Sequence, residues 1–151
     1  MARNSALRFF SLLIIGALVS AYVAEYYFGI APCHYCFYQR YLFMAAAACF
    51  LIKPIHKLGF LALLAGLALS LYQIGLEQHL WTDILHKCKA PLPQFTSDTQ
   101  LHDFLKEAPI VRCDQVNWRI FGISAVIWIA LFQAGLVILY SLIMGRYRYD
   151  K

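Results

Sequence analysis

Residues 120–144, IFGISAVIWIALFQAGLVILYSLIM, contain no charged side chain. A bilayer core of about 30 Å is crossed by about 20 residues of helix, so this run is long enough to span one. Three further apolar runs, roughly 7–30, 37–52 and 58–76, read the same way. They explain why 62% of the chain is hydrophobic and only 14% charged, where a soluble domain carries charge on roughly a quarter of its residues. The expectation is a single-domain, all-α membrane protein: a four-transmembrane-helix bundle of 151 residues. A soluble enzyme and a disordered chain are excluded. Nucleic acid is not an expected partner, because the positive residues do not form one basic stripe.

Four spans put both termini and the loop between spans two and three on one side. That side carries Arg3, Arg8, Lys53, Lys57, Arg146, Arg148 and Lys151 against only Asp150. The other carries Arg40, Lys87, Lys89, Lys106, Arg112 and Arg119 against seven acids, Glu25, Glu77, Asp83, Asp98, Asp103, Glu107 and Asp114. Short flanking segments rich in Lys and Arg stay in the cytoplasm, so both termini are expected inside. The first run also passes as a secretory leader, with Val19-Ser20-Ala21 as a tolerable cleavage site. Its apolarity continues to Ile30, which favours a span.

Small residues recur every four positions at Gly16, Ser20 and Ala24, and again at Ala62, Gly66 and Ser70; such ladders let helices approach closely. The polar segment, about 77–119, reads as a long outer loop with short helices. Leu80, Trp81, Ile84 and Leu85 have the spacing of a short interfacial helix. Ser97 and Gln100 look like a capping box opening a second, with Pro109 beyond its end.

Of five cysteines, Cys33 and Cys36 fall at the outer mouth of span two, and Cys88 and Cys113 in the outer loop. These four face the compartment in which disulfides persist. Cys49 lies in an Ala-rich apolar run, where a thiol behaves as a small hydrophobe. A C-x-x-C such as Cys33-His34-Tyr35-Cys36 is half a zinc site, a structural disulfide or a redox pair. Zinc held by four sulfurs usually takes two closely spaced pairs, which Cys88 and Cys113 do not provide. Position favours the redox pair over a structural disulfide: Pro32 precedes it, a helix follows, and unpaired amides at a helix N-terminus lower a thiol pKa.

Arg40 lies one helical turn below Cys36, on the same face and just inside the apolar region, where a cation is expensive and usually has a partner. The Cys36 thiolate, a carbonyl of a bound cofactor and a lipid phosphate reached by snorkelling all qualify. Nine of 24 aromatics fall within residues 22–43, a density that suits an interfacial belt or a slot for a flat ring.

The stretch PCHYCFYQR, residues 32–40, resembles the signature of the disulfide bond formation protein B (DsbB) family. Gly75-Leu76-Glu77 and VRCDQVNWRIFGIS (111–124) are similar to that family too, and the resemblance covers nearly the whole chain. It implies a thiol:quinone oxidoreductase of the bacterial inner membrane whose partner is a periplasmic DsbA-like thioredoxin-fold protein, the route that keeps the periplasm oxidising. It implies that Cys33 and Cys36 form the pair facing a ubiquinone or menaquinone, that Cys88 and Cys113 form the pair meeting the soluble oxidant, and that Arg40 helps to hold the quinone. Glu77 and His79 are expected near the same site. The chain departs from the family at His34 and Tyr35, where apolar residues are common; a histidine there either stabilises thiolate or stands exposed without a role.

Three other classes are weighed on the residues. A haem-carrying subunit needs axial histidines within the spans, and all five histidines sit at ends or in loops. A transporter would need an ionisable relay near the centre of a run, and none is there. A non-catalytic membrane scaffold with structural disulfides is the remaining alternative.

Overall fold

The computed structural model describes residues 2–83, 116 and 118–149. Four helices fill most of them: α1 (Ala2–Phe28), α2 (His34–Leu51), α3 (His56–Glu77) and α4 (Ala125–Tyr149). Three contain stretches long and apolar enough to cross a membrane, Ser5–Phe28, His56–Glu77 and Ala125–Arg146. The expected second span is a helix of 18 residues but lies outside that group, because His34, Gln39 and Arg40 dilute its apolar residues. It packs between α1 and α3, and α3 packs on α4.

Apolar side chains cover the outside of the bundle as well as the inside. Phe9, Leu12 and Val19 of α1, Leu61 and Leu71 of α3, and Leu131 and Leu142 of α4 are exposed. Helices apolar all round belong in lipid, which makes the chain a multi-pass membrane protein. At one end the bundle closes on rings: Phe10 lies 5.8 Å from Phe50 and 5.9 Å from Tyr140, and Tyr140 stacks on Phe60 at 4.6 Å.

The two small-residue ladders behave differently. Gly66 and Ser70 are buried on α3, and a Cβ at Gly66 would stand 2.5 Å from Gln133 Nε2 of α4, so this ladder does bring helices together. Gly16 has nothing within 4 Å of a would-be Cβ. Gly16, Ser20 and Ala24 line a cavity instead of a helix contact.

Several boundaries differ from the sequence reading. α1 stops at Phe28 because Gly29 turns left-handed at φ +66°. Residues 119–124 are not the start of the last span but a small antiparallel hairpin, β1 (Arg119–Ile120) with β2 (Ile123–Ser124). Its turn residues Phe121 and Gly122 both have positive φ, 53° and 81°, as a type I′ turn requires. Ser124 Oγ then accepts the Val126 amide at 3.3 Å and opens α4.

Leu80 and Trp81 are not helical either. His79 adopts φ 56°, its amide donates to the Leu76 carbonyl, and the Leu80 amide donates to the Gly75 carbonyl at 2.9 Å. That pattern is a Schellman stop. It reverses the chain so that Trp81 stacks on Tyr72 at 6.0 Å and lies against Gly75, where any side chain would collide with it. Ile84, Leu85, the second short helix, Cys88 and Cys113 lie outside the described residues.

Candidate active site

Pro32 and the extended Cys33 lead into α2, and Cys33 is its N-cap: the sulfur accepts the Cys36 amide at 3.3 Å. One turn of helix therefore brings both sulfurs together. Both stand as free thiols, as does Cys49, which sits where α2 touches α3 at Gly59. Cys33 is buried and Cys36 half-buried, while His34 is exposed. The hydrogen bond that Cys33 shares with Cys36, together with burial, holds the Cys33 thiol well above the usual range.

The open end of the bundle holds a cavity of about 560 Å³ between α1, α2 and α4, and both cysteines, Gln39, Arg40, Gln73 and Glu77 lie on its wall. The rest of the wall is mostly apolar, with Ala17 and Ala21 of α1 facing Val126, Ile129 and Phe132 of α4. Apolar clefts of several hundred Å³ with a few convergent polar groups are the usual form of a small-molecule site.

Arg40 has a partner that the sequence reading did not name. Its Nη1 pairs with Glu25 of α1, its Nη2 donates to the Ala21 carbonyl at 3.2 Å, and Tyr22 lies under the guanidinium at 4.6 Å. With Arg40 only 8% exposed, snorkelling to a lipid phosphate is excluded. Glu77, at the end of α3, is held by Ser124 and lies near Arg119, yet its Oε2 is buried without a hydrogen-bond partner among the described residues. His79 is exposed beyond the stop of α3 and does not line the cavity; its part is to turn the chain.

The disulfide bond formation protein DsbB family matches residues 3–143. The chain belongs to the DsbB family. It is similar to the disulfide bond formation protein B of Chromobacterium violaceum, 30% identical over 88% of this chain and 87% of that protein. The same protein of Marinobacter nauticus is 29% identical over 89% and 88%, and that of Xanthomonas oryzae 26% over 82% and 79%. No solved structure matches. Membership makes the chain a membrane oxidoreductase of disulfide-bond formation.

This DsbB-family site contains three amides to which sequence reasoning assigned no role, Gln39 of the C-x-x-C-x-x-Gln-Arg signature among them. Gln73 Nε2 donates to Cys33 Sγ at 3.1 Å and reaches Cys36 Sγ at 3.8 Å. Below it, the two N–H groups of Gln39 Nε2 are shared among Gln133 Oε1 at 2.9 Å, the Gly66 carbonyl at 3.2 Å and Ser70 Oγ, while Ser70 Oγ donates to Gln133 Oε1 at 2.8 Å. These bonds join α2, α3 and α4 away from lipid, each worth about 0.6 kcal/mol on average in a membrane. Gly66, Ser70, Gln73 and Glu77 fall at helical spacing on one face of α3, a signal that was present in the sequence.

Proposed function

We propose that this protein reoxidises a periplasmic DsbA-like dithiol and passes its electrons through two cysteine pairs to a ubiquinone or menaquinone in the bacterial inner membrane. The observation that carries this reading is the position of Cys33 and Cys36 on the wall of an apolar cavity that also presents the buried Arg40 guanidinium. α2 is then the fourth crossing. Its polar side chains are no obstacle, since Gln39 and Arg40 are turned inward and paired. The Lys- and Arg-rich termini face the cytoplasm.

A thiolate of the reduced partner attacks the Cys88–Cys113 disulfide, and its second thiolate resolves the mixed disulfide, so the partner leaves oxidised and the loop pair reduced. A loop thiolate then attacks the Cys33–Cys36 disulfide, and the same two-step exchange restores Cys88–Cys113 and leaves Cys33 and Cys36 reduced. Quinone, when bound, supplies the sink for the two electrons released as Cys33–Cys36 re-forms. The cavity fits a flat apolar ring system in volume and lining, Arg40 on its wall has five N–H donors, more than Glu25 and the Ala21 carbonyl take up, and the Glu77 oxygen left without a partner among the described residues offers a place for a proton at its edge.

The test is to mix the purified protein, a quinone and a reduced thioredoxin-fold dithiol and follow quinone absorbance. Catalysed loss of the oxidised quinone band is expected; its absence in folded protein would leave the scaffold reading. Orientation is checked separately. After reduction, the half-buried Cys36 and the loop cysteines Cys88 and Cys113 should label with a membrane-impermeant maleimide in cells whose outer membrane alone is permeable, while the buried Cys33 is not expected to. Labelling that required breaching the inner membrane would overturn the topology.

A further inference from the structure

We infer that Gln73 is a positioning residue that sets the redox poise of the Cys33–Cys36 pair. It rests on the reading of that pair as redox-active. Gln73 is 3% exposed and reaches across from α3 to the first turn of α2, with Nε2 3.1 Å from Cys33 Sγ and 3.8 Å from Cys36 Sγ. A carboxamide has two N–H donors, enough to serve both sulfurs. Arg40, the nearest fixed cation on α2, is engaged by Glu25 and the Ala21 carbonyl. Among the described residues, the side-chain donor shared by both sulfurs is therefore the amide of Gln73.

The consequence follows from what each redox state accepts. Reduction of the Cys33–Cys36 disulfide takes two electrons, breaks the S–S bond and leaves two sulfurs with one or two protons between them. A sulfur bearing negative charge accepts a hydrogen bond more strongly than a neutral disulfide sulfur, because charge-assisted bonds are roughly twice as strong as neutral ones. The Gln73 amide thus stabilises the reduced pair more than the oxidised one. Stabilising the reduced form makes a disulfide a better oxidant, which is the direction needed to reoxidise the loop pair.

The experiment uses the full chain with Cys49, Cys88 and Cys113 replaced by alanine, so that only Cys33 and Cys36 titrate. Equilibration with reduced and oxidised dithiothreitol, read by alkylation of free thiols, gives the potential. Gln73→Leu is expected to shift the thiol–disulfide equilibrium about tenfold toward the disulfide, a potential about 30 mV more negative. Gln73→Glu keeps the size and replaces the donor with an ionisable acceptor; above neutral pH it is expected to shift the potential at least as far in the same direction. A folded variant of either kind with the parent's potential would overturn the assignment. If the parent itself forms no disulfide between Cys33 and Cys36 across the titration, the redox reading of the pair fails instead, and the role of Gln73 with it.

Discussion

Cys36→Ser is expected to abolish turnover while leaving the fold in place. Cys36 lies in the first turn of α2, half-buried on the cavity wall beside Cys33. A serine hydroxyl neither ionises near neutral pH nor forms a disulfide, so Cys33 would have no partner with which to receive and release two electrons. Turnover should fall on the order of 10³-fold or more, as for other nucleophiles removed from a site. The swap is nearly isosteric, and its cost in stability should be about 1 kcal/mol. Cys33 can still be trapped as a mixed disulfide with a loop cysteine, a species visible on a non-reducing gel. A folded Cys36→Ser protein that kept its quinone turnover would end the oxidoreductase reading in favour of a scaffold.

Arg40→Ala is expected to raise the apparent Michaelis constant for quinone by about ten- to a hundredfold, the loss of one charge-assisted hydrogen bond of about 1.5–3 kcal/mol. Formation of the mixed disulfide at Cys88 and Cys113, on another segment, should change little. Removing the guanidinium also strands Glu25, whose side chain is 23% exposed, and an uncompensated carboxylate destabilises the protein. The two effects separate in the double variant. Arg40→Ala with Glu25→Gln should recover the melting temperature but not the quinone constant. Arg40→Lys should recover the constant only in part, since an ammonium lacks the planar fork. An unchanged quinone constant in Arg40→Ala would move the quinone away from this cavity.

The apolar runs were legible because lipid imposes a length and a composition that few soluble sequences share, and the C-x-x-C with Arg40 one turn on was legible because both lie on a single helix. Contacts between helices were not. Glu25 and Arg40 stand fifteen residues apart across the Gly29 turn, and neither residue type announces its partner. Gln39 and Gln133 meet over 94 residues. Gln73 could have been found from the polar stripe of α3, but one amide in an apolar run reads as tolerated when nothing shows what it faces. The hairpin at 119–124 was hidden by its own hydrophobicity, since Phe121 and Gly122 sit in an unbroken apolar stretch and only their left-handed backbone sets them apart. His79 drew attention as a polar group near the end of a span, where its left-handed conformation serves the chain reversal. Cys88 and Cys113 lie outside the described residues, so the loop half of the exchange rests on the family alone.

The turn that ends α3 bears on kinetics. Beyond it, Asp83 accepts hydrogen bonds from Tyr35 at 2.5 Å and from Tyr72 at 3.2 Å, and Tyr35 is the residue immediately before Cys36. The segment that follows α3 is thus moored at Asp83 beside the C-x-x-C. Cys88 follows Asp83 by five residues, so even a fully extended chain carries it no more than about 18 Å from that mooring. That ceiling holds whatever path the intervening residues take, and tethering within such a distance gives effective concentrations in the millimolar range. Under the proposed exchange, encounter between the two cysteine pairs is then a property of one chain, independent of how dilute the protein is in the membrane.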